Sequence, residues 1–187
     1  MTLERARRVR PRWAGGSSTG ISYARLTKRS APSRSEVRPA DTTNIIFDVT
    51  GYFANDTTGA TYHTLAPVRV LDSRPGTGHI GATLFHSGTK QTVTIATAAS
   101  GVPTTAVAVT GNVTVVGQTH AGYVTVAPSL TSGFQPPTST INFPLNDTRA
   151  NGVTVPLASG GTLDFMYWTG RTGDTTNIIF DVTGYLG

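Results

Sequence analysis

DTTNIIFDVTGY, running from Asp174 to Tyr185, decides the fold, and the chain carries it twice. The same twelve residues run from Asp41 to Tyr52, 133 positions earlier. Chance does not repeat twelve residues, so a structural unit has been duplicated. Inside the unit Ile178, Phe180 and Val182 alternate with Asn177, Ile179 and Asp181, as Ile45, Phe47 and Val49 do with Asn44, Ile46 and Asp48. A period of two with one apolar face is the signature of a β-strand. Thr-Gly-Tyr at the end of each copy supplies a turn or a bulge.

The residues between the copies extend the same pattern. Val107, Val109, Val113 and Val115 fall on one face, with Gly111 read as a bulge. Leu163, Phe165 and Tyr167 alternate with Thr162, Asp164 and Met166. Further strands are expected at Val68–Leu71, around Val93 and Ile95, and at Gly122–Ala127, Ser139–Phe143 and Gly152–Leu157. No segment carries a helical apolar stripe. About eight short strands over residues 62–187 predict an antiparallel, jelly-roll-like β-sandwich. The second copy is then a core strand through Ile178, Phe180 and Val182.

Charge divides the chain differently. Residues 1–40 hold ten Lys or Arg and two Glu, a net +8, whereas the rest carries −3. With Ser, Pro and no periodicity, residues 1–40 read as a disordered basic tail. That tail has no nucleic-acid-binding motif, so no nucleic-acid partner is expected. Residues 54–61 read as a polar linker. Residues 41–53 are left as an isolated strand, either the remnant of a lost module or a donor strand. No apolar run is long enough to span a membrane. No signal peptide is visible, because Pro11 to Ser17 is not an apolar core. The absence of cysteine excludes disulfides and thiolate metal sites.

Several motifs in this order resemble a known family: Val68-Arg69-Val70-Leu71-Asp72-Ser73-Arg74, Gly101-Val102-Pro103, Asn112-Val113-Thr114-Val115, Gly122-Tyr123-Val124-Thr125-Val126 and Asp181-Val182-Thr183-Gly184-Tyr185. They resemble the tandem module of bacterial, notably actinobacterial, secreted and cell-surface proteins, whose units run from LLDTR to DVTGYF. The resemblance covers residues 62–187, and residues 1–40 match no part of it. It implies an extracellular or cell-surface location and a non-catalytic β-module that accompanies enzymes or builds surface proteins.

The residues offer little chemistry. No nucleophile, base and orienter stand in a catalytic pattern, so no catalytic residue and no enzyme is expected. Asp72 and Arg74 flank a strand end and are expected to pin its loop, with Arg74 reaching a carboxylate such as Asp181. A calcium site would draw on Asp72, Asn146, Asp147 and Asp181, but no loop has EF-hand spacing, and no metal is assigned. Glycan stacking would need exposed aromatics; Trp168, on the face opposite Tyr167, and Tyr123 are the candidates.

The surplus strand carries the functional expectation. Asn44, Ile45, Ile46, Phe47, Asp48 and Val49 form an assembly strand that seeks a sheet edge, in its own domain or in a second copy. Head-to-tail addition does not close and gives filaments. The chain is therefore expected to be a structural or adhesive module whose partner is itself. The alternative is a carbohydrate-binding accessory module of a secreted hydrolase, whose partner is a cell-surface polysaccharide.

Overall fold

The computed structural model describes residues 47, 49–55, 58–76 and 80–187. Residues 1–40, the expected tail, lie outside the described residues, as do Asn44, Ile45, Ile46 and Asp48.

Among the described residues nine strands follow in order: β1 (Tyr62–Asp72), β2 (Phe85–His86), β3 (Lys90–Thr94), β4 (Ala108–Val116), β5 (Gly122–Ala127), β6 (Ile141–Phe143), β7 (Arg149–Pro156), β8 (Thr162–Trp168) and β9 (Thr175–Leu186). One sheet has the order β1-β9-β4-β7, with β2 also paired to β9; the other has the order β3-β8-β5-β6. Every pairing is antiparallel. Apart from β2, the strands pair as nested partners: β1 with β9, β3 with β8, β4 with β7 and β5 with β6. That is one long antiparallel ribbon rolled into two layers, the jelly-roll arrangement. The described residues form an all-β sandwich.

Alternation builds the core. In β4 Val109, Gly111, Val113 and Val115 turn inward, and the residues between them are half exposed. Leu163, Phe165 and Tyr167 of β8 face Ile178, Phe180 and Val182 of β9, all fully buried. Phe165 and Phe180 meet edge to face at 5.4 Å between the layers. Such pairs add to the stabilisation from apolar burial.

Four details differ from the sequence reading. β2 is an additional strand, two residues long, held by pairing to β9. β1 begins at Tyr62, six residues before the expected Val68, and its register jumps between Thr64 and Val68, around Pro67. Proline has no N–H for the ladder and sits at such irregularities. Val107 precedes β4 and is exposed. Gly111 is not the bulge, because the extra residue lies in β9, where Thr110 opposes Gly184 and Gly111 opposes Val182. Gly111 serves close packing instead: a Cβ there would lie 2.6 Å from the Asp181 carbonyl and 2.7 Å from the Phe180 ring.

Candidate functional site

The second repeat copy occupies a slot between β1 and β4. Its inner face fills the core, and several of the remaining positions have specific partners. The Ile178 N–H donates to Ser73 Oγ at 2.9 Å, and that hydroxyl donates to Asn177 Oδ1 at 3.2 Å. Gly184 lies so close to the Tyr62 ring and the His63 carbonyl that a Cβ would collide with both. Tyr185 stacks on His63 with ring centroids 4.8 Å apart.

Asp181 projects from the other face of β9 and is gripped by Arg69. Nε donates to Oδ1 at 2.9 Å and Nη2 to Oδ2 at 3.2 Å. Arg69 Nη1 also donates to Asp72 at 3.2 Å. Arg74 closes on Asp72 through Nε at 3.0 Å, Nη2 at 2.7 Å and its backbone N–H at 3.2 Å. The result is an alternating chain of Arg74, Asp72, Arg69 and Asp181 that ties the β1 end to β9. The Arg74 hydrogen bonds hold the buried Asp72 carboxyl down at about 2, against the opposing effect of burial. The Arg69 guanidinium is raised, chiefly by its bond to Asp181. Arg69, not Arg74, makes the paired grip on Asp181, so the expected bridge is corrected on that point. The planar guanidinium fork suits this two-point contact.

The same two aspartates were calcium candidates, and the structure gives both to arginines. Asp147 pairs with Arg149 at 2.5 Å. Among the described residues no three His, Cys, Asp or Glu side chains gather into a metal-binding group.

A second pin lies on the outer face of the other sheet. Asp164 of β8 is 3% exposed and accepts from Lys90 Nζ at 2.7 Å, Thr92 Oγ1 at 2.6 Å and the Leu130 N–H at 2.8 Å. Burial pushes this carboxyl up, but the three hydrogen bonds outweigh it and hold it below the ordinary value. Asp164 thereby fastens the 128–139 loop over the sheet. Sequence reasoning missed Arg69, Lys90 and Asp164 as partners. The available signal was a charge inside an apolar strand, as in Val68-Arg69-Val70 and Leu163-Asp164-Phe165, because such a charge must be paired.

Trp168 and Tyr123 are half-buried cross-strand neighbours on that outer face. The Tyr123 hydroxyl is occupied by the Pro136 carbonyl at 3.1 Å. Trp168 borders a depression of about 480 Å³ shared with Ser87, Gly88, Ser132, Gly133 and Arg171.

The first copy contrasts with the second. Its described residues belong to no strand, and Phe47 and Val49 are 85% and 74% exposed. Tyr52 and Phe53 are 90% and 95% exposed. Val49 and Thr50 border a cleft of about 570 Å³ along β7, from Asn151 to Pro156, opposite Thr138–Thr140. β7 is an outer strand of its sheet and is exposed along most of its length.

No protein-family model and no curated protein matches the chain.

Proposed function

We propose that the chain is a non-catalytic structural or adhesive β-module of the bacterial exterior that self-associates through its duplicated strand. One observation carries the reading. The slot for DTTNIIFDVTGY is filled by Asp174–Tyr185, and an identical segment remains whose described residues are exposed and unpaired in any strand. A β-prone segment with Phe47, Val49, Tyr52 and Phe53 in solvent is a pairing element in search of an edge. The eight-residue outer strand β7 lines the cleft that Val49 and Thr50 also border, so it is the edge nearest to the first copy. Addition to β7 of a second copy is heterologous and propagates as a filament. The polar clusters favour a mechanical role, since their carboxylates are engaged in pinning loops and strands. The exterior location rests on the resemblance of residues 62–187 to the secreted tandem module.

Size-exclusion chromatography with light scattering tests this. The full chain is expected to give oligomers that grow with concentration, and Phe47→Asp is expected to be monomeric. Two monomers at every concentration would overturn the reading.

A second reading is favoured by the Trp168 depression, where an indole borders serines and Arg171. This is the composition of a shallow sugar platform, as in a carbohydrate-binding accessory module of a secreted hydrolase. Retention on insoluble cell-wall polysaccharide, lost on Trp168→Ala in a chain that stays folded, would support it.

A further inference from the structure

We propose that the slot between β1 and β4 is a binding site for either repeat copy, so that Asp41–Phe53 of the same chain can replace β9 in register. This concerns a single chain and holds whether or not the protein self-associates.

Register and connection both permit the exchange. β1 opposes β9 with Tyr62 at Leu186, His63 at Tyr185 and Thr64 at Gly184. Shifted by the repeat spacing, Phe53 would oppose Tyr62, Tyr52 would oppose His63 and Gly51 would oppose Thr64. The chain would leave the slot at Phe53 and return as β1 at Tyr62, an antiparallel hairpin closed by the eight residues 54–61. These include Asn55-Asp56-Thr57-Thr58-Gly59, which is turn chemistry. Loop closure becomes only slowly more costly with length, so eight residues are affordable. β9 enters the slot from its opposite end, through the loop after Trp168. The two connections therefore attach at different ends and do not compete for space.

The contacts would be reproduced residue by residue. Ile45, Phe47 and Val49 would take the buried places of Ile178, Phe180 and Val182. Asp48 would receive Arg69, Asn44 would receive Ser73, and Tyr52 would stack on His63. Gly51, like Gly184, has no Cβ to collide with the Tyr62 ring. The sequences part only at the end, where Phe53 replaces the half-exposed Leu186 and Ala54 replaces Gly187. A Cβ at Gly187 would meet its nearest atoms at 3.6 Å, an ordinary contact, so Ala54 fits. Exchange would release β9, so that the displaced copy would follow the module in the chain instead of preceding it.

The chain has no cysteine, so an engineered pair is an unambiguous reporter. His86 opposes Thr175 in β9 and would oppose Thr42 after exchange, at the end of the slot farthest from the hairpin loop. The next pair makes the ladder bond, from the Ser87 N–H to the Asp174 carbonyl. His86 therefore sits at a non-hydrogen-bonded position, where Cα atoms are about 4.5 Å apart and a disulfide can close. His86→Cys with Thr42→Cys is expected to crosslink within the chain in part of the population. In a Phe180→Asp background, where β9 carries a charge on its core face, that crosslink is expected to approach completion while a cooperative melt persists. Adding Phe47→Asp should abolish both crosslink and melt. A Phe180→Asp chain that loses its cooperative melt, with no Thr42–His86 crosslink in either background, would overturn the proposal. Crosslinks found only in disulfide-linked dimers would overturn it as well.

Discussion

Asp164→Ala removes the hub that fastens the 128–139 loop to the outer face of β8. Three donors lose their acceptor, and they are not equivalent. Lys90 has a side chain about one-third exposed and Thr92 is exposed, so both can turn to water. The Leu130 N–H is a backbone donor in the loop, aimed at a carboxylate that is 3% exposed, and it has least freedom to find another acceptor. A hydrogen bond to a charged group contributes about 1.5–3 kcal/mol, and an orphaned buried donor costs about 1–3 kcal/mol. Counting the Leu130 bond in full and the two others at a fraction, the variant should lose about 2–4 kcal/mol. For a folded body of this size, each kcal/mol lowers Tm by roughly 4 °C. Urea unfolding with linear extrapolation gives the loss, and amide hydrogen exchange over residues 128–139 gives its location. Asp164→Asn keeps an acceptor and the side-chain volume, and should lose about half as much. A loss under about 0.5 kcal/mol for Asp164→Ala, or unchanged exchange at Leu130, would refute the reasoning.

The Asp72 carboxyl is held at about 2 in the fold, below its ordinary 3.8, so it stabilises the fold above the ordinary value. That contribution fades as pH falls towards 2. Because Arg69 and Arg74 are both more than a third exposed, it is worth about 1–2 kcal/mol at most. Asp72→Asn should therefore be less stable than the parent at pH 6 and match it near pH 2 in urea titrations. Gly111→Ala drives a methyl against the Asp181 carbonyl and the Phe180 ring, and should cost about 3 kcal/mol or prevent folding, read by thermal melting. Gly51→Ala and Gly184→Ala should each be tolerated through the other copy. Together they should destabilise by more than the sum of the single losses, and additive losses would speak against a shared slot.

The strands that stand out most clearly in the sequence are those whose apolar and polar residues alternate over at least five positions. β9, β8 and the Val109–Val115 part of β4 qualify because one face of each is buried and the other meets solvent or a polar loop. β2 has only Phe85 and His86 and exists because β9 is there to pair with it, so no local pattern announces it. Val107 continues the valine alternation and bonds to the Leu186 carbonyl and the Leu157 N–H, but it precedes β4 by one residue and its side chain is exposed. Asp72 and Arg74 could be read as a pair because they are two residues apart. Arg69 and Asp181 are separated by 112 residues and Lys90 and Asp164 by 74, so their pairing follows from strand order alone. The unpaired charge inside an apolar strand was the visible sign, and it names the need for a partner without naming the partner.

Hydrogen exchange of the first repeat copy, followed by mass spectrometry across a range of protein concentrations, tests most directly whether that copy is a pairing strand. The two copies are identical, so the diagnostic peptides must extend past the repeat, into Ala40 or Phe53 for the first copy and Gly173 or Leu186 for the second. The account predicts that amides of residues 44–49 are protected as in a paired strand and that protection rises with concentration as chains associate. Free exchange at every concentration would contradict it and leave the first copy as an inert remnant.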